Sequence, residues 1–324
     1  MSNIPTLWKQ ILVAGSVAYD EIMDFPGEFQ AHFHPEHLHQ INVSFVVDNL
    51  EKQLGGTATN IAYNIRLVNS HVVVELLSAI GKDGAQFIDF FNKHNIGTLV
   101  LKKDSKLFTS TGKVITDMND NQIWGFYYGA SVRASEIRLD RLKSGSLLVL
   151  SACHLKAFLH FQHEAIRLKI PYMYDPGMLL TRLTPKQLKE GVAHSAILIG
   201  NDYEVASIES VLQTSVEQIA EKGVLVIKTL GREGAMVYDR LQSYTIPAIL
   251  VKKTVDPTGA GDAFRGGFLS AYSRGGSVHE CVVLGNVLAS FAVEKYGTIH
   301  HKPRKSEVER RKKEILKKIK LNGT

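Results

Sequence analysis

The 324-residue chain contains only two cysteines, Cys153 and Cys281, and nine prolines. Two cysteines cannot form the disulfide framework of a small secreted domain, so we expect a protein of the reducing cytoplasm. The apolar segment near the N-terminus, ILVAGSVAYD, includes Asp20 and is too short for a signal peptide or a membrane span. Repeats, low-complexity linkers and a second domain boundary are also lacking, which predicts a single domain over residues 1–324.

The composition is that of an ordinary globular enzyme, with 44% hydrophobic and 22% charged residues. The net charge of +6 suits an anionic substrate, and we expect neither a nucleic-acid nor a membrane partner. The basic C-terminal segment has Val308, Ile315 and Ile319 on one rough apolar stripe. This pattern predicts an amphipathic surface helix and not a nucleic-acid or membrane contact.

From Leu147 onward, apolar strands alternate with helical stretches, and this alternation sets the fold class. The strands are LLVLSAC, PYMYDPG, AILIGNDYE, VLVIKTLGREGAMVYD and SYTIPAILVKK. They predict an α/β protein with a doubly wound, mostly parallel sheet and helices on both faces. Ligand groups in such sheets lie at the carboxyl ends of the strands, and the candidate site residues below follow strand runs.

Two stretches interrupt this alternation. INVSFVVD predicts a strand, and TGKVITDMNDNQIWGFYYGA predicts a hairpin around residues 118–121. We expect a small separate β-sheet, inserted at about residues 20–50 and 108–130, that covers the substrate as a lid. The same region contains four histidines, which are His32, His34, His37 and His39. We expect them to be solvated loop residues, because carboxylate or cysteine partners are not at metal-ligand spacing.

The segment TVDPTGAGDAFRGGFLSAY combines a strand end, a glycine turn and an apolar helix. The helix is predicted to begin near Gly261 and Asp262, so the amides of Gly259, Ala260 and Gly261 form an anion site at its positive end. Asp262 is either an acid that only complements the helix dipole or a functional carboxylate. Glycines on both sides of Ala260 favour the functional interpretation.

Three further patterns are each compatible with a simpler alternative. QLGGTATN places Gly55 and Gly56 before a helix, where a ligand hydroxyl could approach the backbone and Asn60 could donate and accept, or where a helix merely starts. In GNDYE, Asn201 and Glu204 share a helix face and suit a hydrated Mg²⁺ or a capping box. Thr229 and the two glycines of TLGREG, Gly231 and Gly234, suit either a nucleotide site or a hairpin.

The pattern D-x-T-G-A-G-D at residues 256–262, together with G-G-x-x-x-N at residues 55–60, closely resembles the ribokinase-like (PfkB) carbohydrate and nucleoside kinases. The resemblance covers nearly the whole chain. Within this family, the opening region, the hairpin and GNDYE are most similar to bacterial adenosine kinases of the mycobacterial type. The resemblance implies ATP-dependent phosphorylation of a nucleoside 5′-hydroxyl, with adenosine as the expected acceptor. A furanose kinase and an idle nucleotide-binding protein are the alternatives.

The resemblance also implies roles for individual residues. Asp262 would be the catalytic base, beside the anion site at Gly259, Ala260 and Gly261. The acceptor would contact Asp20, Ser44, Gly55, Gly56, Asn60, Phe126 and Arg182. ATP would contact Asn201, Thr229, Gly231, Gly234, Gly261 and Asn286. Mg²⁺ would bind through water to Asn201 and Glu204, and a monovalent cation such as K⁺ would bind near Asp256, Thr258, Ala292, Lys295 and Gly297. A homodimer through the lid strands is expected.

The sequence departs from the adenosine kinases at the base end of the acceptor site. Where those kinases have a pair of glutamines after Asp-Pro, this chain has Met178 and Leu179, following residues 175–177. An aromatic residue expected on the first lid strand is replaced near Gly112. The acceptor therefore remains open between adenosine, another nucleoside and a sugar.

Overall fold

The computed structural model describes residues 8–33, 42–119, 121–141 and 145–322. Its strands are β1 (Gln10–Ala14), β2 (Ala18–Asp24), β3 (Asn49–Gly55), β4 (Val73–Leu77), β5 (Ala79–Ile80), β6 (Lys102–Lys103), β7 (Ser110–Thr116), β8 (Gln122–Tyr127), β9 (Ser146–Ser151), β10 (Tyr172–Asp175), β11 (Ile197–Asn201), β12 (Leu225–Thr229), β13 (Ala235–Tyr238) and β14 (Ser243–Ile246). Its α-helices are α1 (Thr57–Val68), α2 (Ala85–Lys93), α3 (Leu155–Leu168), α4 (Pro185–Ala193), α5 (Asp202–Leu212), α6 (Val216–Glu221), α7 (Ala260–Tyr272), α8 (Val278–Ala292) and α9 (Lys305–Asn322).

The main sheet has the strand order β14-β13-β12-β11-β10-β9-β1-β4. Pairing is parallel from β4 to β12, and β13 and β14 continue the sheet as an antiparallel edge. The predicted α/β class with a mostly parallel sheet is therefore confirmed. The carboxyl ends of the parallel strands share one edge, and the candidate site lies along that edge.

In the described part of the chain, buried apolar side chains form a cluster on each face of the main sheet. Ile11 and Val13 of β1 face the cluster covered by α1, α2, α7, α8 and α9, whereas Leu12 and Ala14 face the cluster covered by α3 to α6. Successive strand residues point to opposite faces, so strands covered on both sides are apolar throughout. This burial explains the nearly continuous apolar runs in the sequence.

A smaller sheet has the order β3-β2-β7-β8, and β2 and β7 are parallel while the other pairs are antiparallel. The β7–β8 hairpin agrees with the pattern of its sequence. The strand predicted for INVSFVVD is wrong, because residues 42–48 belong to no strand. Phe45 instead packs against Phe25 and Phe29, with ring centroids 4.9 and 5.0 Å apart, so aromatic packing and not ladder pairing fixes this segment.

Helix α7 packs closely between α1 and α8, and two glycines permit this approach. A Cβ at Gly266 would overlap Asn64, and one at Gly267 would lie 2.5 Å from the Leu284 carbonyl oxygen.

At the C-terminus, the apolar stripe of α9 packs against the core, as the sequence predicted. Val308 and Ile315 are buried, and Ile319 packs beside them. Within the described residues, no helix has the length and apolar character needed to cross a membrane.

Candidate active site

Asp262 lies in the first turn of α7 and is held by Asn60 from α1. The N-cap is Gly259, in the left-handed conformation with φ 77°, so the helix begins slightly before the predicted start near Gly261. Asn60 Nδ2 donates to Asp262 Oδ2 at 2.8 Å. Asn60 Oδ1 accepts from Thr298 Oγ1 at 2.8 Å, which fixes the orientation of the amide. The predicted acid is therefore oriented by an amide that the sequence had assigned to the acceptor.

The environment of Asp262 tunes its proton affinity. Burial raises the pKa of Asp262 to about 7, the Arg265 guanidinium and the Asn60 hydrogen bond oppose this rise, and the Asp175 and Asp20 carboxylates add to it. A carboxyl group with a pKa close to neutrality can both accept and release a proton at physiological pH. This property suits a general base.

Arg265 is a site residue that sequence reasoning missed. Its Nε and Nη2 each lie 2.5 Å from an oxygen of Asp175, at the end of β10, and both side chains are buried. Ser151 Oγ also donates to Asp175 Oδ2 at 3.1 Å. The available signal was a single arginine within the small, apolar segment AFRGGFLSA, one turn after Asp262. Its partner, 90 residues earlier, could not be identified from spacing.

The predicted anion site at the start of α7 includes one amide that already has a partner. Ala260 N–H donates to the Pro257 carbonyl oxygen at 3.2 Å, and Ala263 N–H donates to Gly259 O at 2.9 Å. Helix geometry leaves the first amides of α7 without i−4 partners, and their dipoles add at this end. Gly259 and Gly261 are therefore the better positions for contact with an anion.

Asp20 sits on β2 between two glycines that make room for its carboxylate. A Cβ at Gly55 would overlap Asp20 Oδ2, and one at Gly112 would lie 3.3 Å from Asp20 Oδ1. Burial, with a smaller contribution from the Asp256 carboxylate, raises the pKa of Asp20 to about 6. Gly56 follows with φ 87°, and a Cβ there would lie 2.5 Å from the Ser16 carbonyl oxygen. Only glycine fits this turn without strain.

Phe126 and Arg182 both contact Tyr128, which also contacts His154, and the sequence indicated neither Tyr128 nor His154. The ring centroids of Phe126 and Tyr128 are 4.9 Å apart, and those of Tyr128 and His154 are 5.3 Å apart. Arg182 Cζ lies 5.6 Å from the Tyr128 ring centroid. Ser44 is exposed in the segment before β3 and takes part in none of these contacts. The predicted acceptor residues thus divide into a carboxylate end and an aromatic end.

A cavity of about 490 Å³ lies between the β12–β13 turn, residues 248–257 and helices α7 and α8. Asn286 Nδ2 donates to the carbonyl oxygens of Ile246 and Pro247 at 3.0 and 3.2 Å, which holds one wall in place. The residues at the β12–β13 turn form the predicted hairpin and also line the cavity. Asn201 is absent from the described lining. The predicted nucleotide residues found there are Thr229, Gly231, Gly234, Gly261 and Asn286.

Asn201 and Glu204 form the capping box that the sequence left as an alternative. Glu204 N–H donates to Asn201 Oδ1 and Asn201 N–H donates to Glu204 Oε2, both at 2.8 Å. Burial and the Asp175 carboxylate raise the pKa of Glu204. Among the described residues, no three His, Cys, Asp or Glu side chains cluster to hold a metal ion. His34, His37 and His39 lie outside the described residues.

The residues proposed for a monovalent cation lie on the loop before α7, at the end of α8 and on the loop after α8, and hydrogen bonds join the two loops. Asp256 Oδ1 accepts from Thr258 N–H at 2.8 Å, and Asp256 Oδ2 accepts from Gly297 N–H at 3.0 Å. Lys295 N–H donates to Ala292 O at 3.1 Å. The structure brings these residues together beside the start of α7, and cation binding there stays a prediction.

Comparison with known proteins gives a consistent result. The model of the pfkB family carbohydrate kinases matches residues 15–305. The nucleoside kinase of Methanothermobacter thermautotrophicus is 31% identical over 94% of this chain and 95% of its own length. The Burkholderia thailandensis nucleoside kinase, solved with inosine, has a TM-score of 0.84, 26% identity, and coverage of 95% of this chain and 98% of its own. The Methanocaldococcus jannaschii nucleoside kinase structure has a TM-score of 0.83 and 26% identity, covering 94% and 98%.

Proposed function

Because this chain belongs to the pfkB carbohydrate kinase family and is similar to nucleoside kinases over almost its whole length, we propose that it phosphorylates the 5′-hydroxyl of a nucleoside with ATP. The observation that carries this proposal is the Asn60–Asp262 hydrogen bond at the start of α7. It holds a carboxylate of near-neutral pKa next to Gly261, which lines the cavity proposed for ATP, and within electrostatic reach of Asp20.

The proposed chemistry follows from the placement of charge. Asp262 accepts the proton of the 5′-hydroxyl while the hydroxyl oxygen forms a bond to the γ-phosphorus. The bond between that phosphorus and the bridging oxygen breaks, and ADP leaves. The amides of Gly259 and Gly261, at the positive end of α7, stabilise the negative charge of the phosphoryl oxygens. Asp20 is positioned to accept hydrogen bonds from the ribose hydroxyls.

The residues expected to hold Mg²⁺ remain compatible with it. The capping box uses Asn201 Oδ1 and Glu204 Oε2, which leaves Glu204 Oε1 for a water ligand of the ion. Bound Mg²⁺ would neutralise phosphate charge.

K⁺ would be held by main-chain oxygens of the two loops around Asp256. Location in the cytoplasm stays an expectation, and both cysteines are buried and form no disulfide.

The test of the mechanism is Asp262→Asn. Loss of the general base should lower kcat by about 10²-fold or more, because proton transfer typically contributes a factor of this size. Binding of ADP, measured by calorimetry, should be close to that of the wild type. Asp89→Asn removes an exposed carboxylate on α2 and serves as the control, with unchanged turnover. Normal kcat for Asp262→Asn would remove Asp262 from the reaction.

The resemblance implies adenosine as acceptor, but the base end of the site favours a base with oxygen acceptors. Leu179 is buried and Met178 is 58% exposed, so neither replaces the glutamine amides. His154 Nδ1 accepts from Lys156 N–H at 3.2 Å, which leaves Nε2–H as a donor. Burial and the Arg182 guanidinium lower the pKa of His154, so the ring stays neutral. His154 and Arg182 thus offer only donors, which suit the carbonyl oxygen of a 6-oxopurine.

An acceptor panel separates these possibilities. ADP release should be measured with adenosine, inosine, guanosine, cytidine and free ribose, and kcat/KM compared. Inosine above adenosine supports recognition by donors, whereas the reverse order supports the adenosine assignment. Ribose above every nucleoside would overturn nucleoside phosphorylation and favour a furanose kinase. ATP binding without turnover of any acceptor would favour a nucleotide-binding protein without kinase activity.

We also propose a homodimer through the lid strands. Strand β8 is the outer strand of the small sheet, and all of its residues are exposed, including Ile123 and Tyr127. Such an apolar edge strand is a surface that proteins commonly cover. Light scattering should give twice the mass of the chain, and Ile123→Lys should give the monomer mass. A monomeric wild type would disprove this assembly.

A further inference from the structure

We infer that Arg265 is a catalytic residue that contacts the transferred phosphoryl group through Nη1, an inference that rests on the proposed kinase function. The guanidinium has two nitrogens bound to Asp175 and a third that is directed toward the start of α7. Nη1 makes no hydrogen bond to any described residue, and a Cβ at Gly261 would lie 2.9 Å from it. A free donor nitrogen therefore lies beside the amides proposed to bind the phosphoryl oxygens.

Arg265 also lies close to the proposed base along α7. It follows Asp262 by three residues, so both side chains leave the same face of α7. Burial alone would lower the pKa of Arg265, but the carboxylates of Asp175, Asp262 and Glu204 raise it above its ordinary value. The proposed base Asp262 and the proposed Mg²⁺ residue Glu204 thus both act electrostatically on the guanidinium. A phosphoryl group that is transferred beside Asp262 is therefore exposed to this positive charge.

The geometry of the ion pair explains how the third nitrogen is held. Asp175 binds Nε and Nη2 in a bidentate pair, and Ser151 fixes Asp175 in turn. This arrangement sets the plane of the guanidinium, so Nη1 needs no reorganisation when charge develops. Stability alone does not require such a pair, because apolar residues of similar size often replace buried ion pairs without loss. A lysine could not fix a donor in this way, since its ammonium is a point charge.

In the proposed phosphoryl transfer, Arg265 acts only as a hydrogen-bond donor. Asp262 takes the proton of the acceptor hydroxyl, the new oxygen–phosphorus bond forms, and the bond to the bridging oxygen of ADP breaks. Arg265 keeps its protons throughout, and Nη1–H donates to a non-bridging phosphoryl oxygen. This contact is stronger in the transition state than in bound ATP, so it should raise kcat and leave ADP affinity almost unchanged.

The experiment compares Arg265→Lys with the double variant Arg265→Met, Asp175→Asn, which removes both charges and avoids an unpaired buried carboxylate. Three quantities are measured: kcat, the Kd of ADP, and the Kd of ADP with aluminium fluoride, a mimic of the phosphoryl in transfer. We expect kcat to fall by about 10²-fold or more in both variants, the usual effect of losing such a donor. The affinity for the aluminium fluoride complex should fall by a similar factor, with the Kd of ADP within about threefold.

A structural role would give a different result. Equal loss of affinity for ADP and for the aluminium fluoride complex, or kcat within about threefold of wild type in either folded variant, would overturn the inference. Arg274→Lys, at an exposed arginine just after α7, is the control and should leave all three quantities unchanged. If the wild-type enzyme turned over no nucleoside, the proposed acceptor would be refuted. The aluminium fluoride comparison would then decide the role of Arg265 without turnover.

Discussion

At the scale of single residues, Asn60 connects the two halves of the site. Its amide donates to Asp262 and accepts from Thr298, so its carbonyl and one N–H are already engaged. The position was predicted from a local motif as a ligand for the acceptor. The contacts also support a role in orienting the proposed base and in setting its proton affinity, and contact of Asn60 with the acceptor stays a prediction.

Asn60→Ala should therefore change the pH dependence of the reaction. In the proposed mechanism the carboxylate form of Asp262 is the active base, so the rate should fall as pH decreases through its pKa of about 7. The Asn60 hydrogen bond lowers the pKa of Asp262, and its removal should move the acidic limb of kcat/KM upward by about one pH unit. Asn286→Ala removes an amide from the cavity wall and should leave the limb in place. If the acidic limb of kcat/KM lay at the same pH in Asn60→Ala and in the wild type, the proposed effect of Asn60 on the pKa of Asp262 would be contradicted.

The sequence predicted the residues of the local motifs more successfully than their partners. Asp262 and its neighbouring glycines were identified because the motif is long and contiguous. Arg265 and His154 were missed because their importance depends on contacts with Asp175 and Tyr128, distant in the chain. Local spacing contains no information on such pairs, which exist only after the sheet has formed.

At the scale of elements, the turn between β3 and α1 requires a glycine. Gly56→Ala would place a side chain at φ 87° and 2.5 Å from the Ser16 carbonyl oxygen. We expect a loss of about 1–3 kcal/mol in the free energy of unfolding, together with a raised KM for the acceptor. Urea denaturation and initial rates measure these two effects.

Gly125→Ala provides the matched control for this substitution. Gly125 lies on β8, and no heavy atom is within 4 Å of a Cβ placed there. In the Ile123→Lys background, which removes the proposed dimer contact of β8, its free energy of unfolding should change by less than about 0.5 kcal/mol, as for most surface substitutions. Equal stability of the two variants would show that the β3–α1 turn tolerates a side chain.

Strands and helices of the main sheet followed the sequence pattern, but the small sheet did so only in part. Apolar residues of INVSFVVD suggested a strand, yet Phe45 is instead packed among aromatic rings. A run of apolar residues can satisfy burial in a ladder or in a cluster, and periodicity alone does not separate these cases. The hairpin of β7 and β8 was predictable because its pairing is local.

At the scale of the whole molecule, α9 completes the core on one face of the main sheet. Ile315 is fully buried against that core, whereas the adjacent Leu316 is 39% exposed. Ile315→Ala should lower the free energy of unfolding by about 2–4 kcal/mol, because it leaves a cavity, and Leu316→Ala should cost much less. Denaturant unfolding of both variants is the measurement. Similar losses would indicate that α9 contributes little to the cooperative core.

The overall α/β architecture was predictable because strand and helix alternate along the chain. The parallel pairing of β2 with β7 was not, since it joins segments separated by more than 80 residues. That pairing brings Asp20, a residue of the proposed acceptor site, opposite Gly112. Long-range register of this kind is decided by tertiary packing.

The small sheet also carries an intrinsic optical probe. The chain contains two tryptophans, and Trp124 on β8 is 55% exposed, with its Cζ3 3.3 Å from a Cβ built on Gly112. The other tryptophan, Trp8, lies at the C-terminal end of α7, where its backbone N–H donates to the Ser273 carbonyl oxygen. In a Trp8→Phe background, a nucleoside should shift the emission of Trp124, whereas ADP alone should not. Unlabelled protein would then report the arrival of the acceptor in real time.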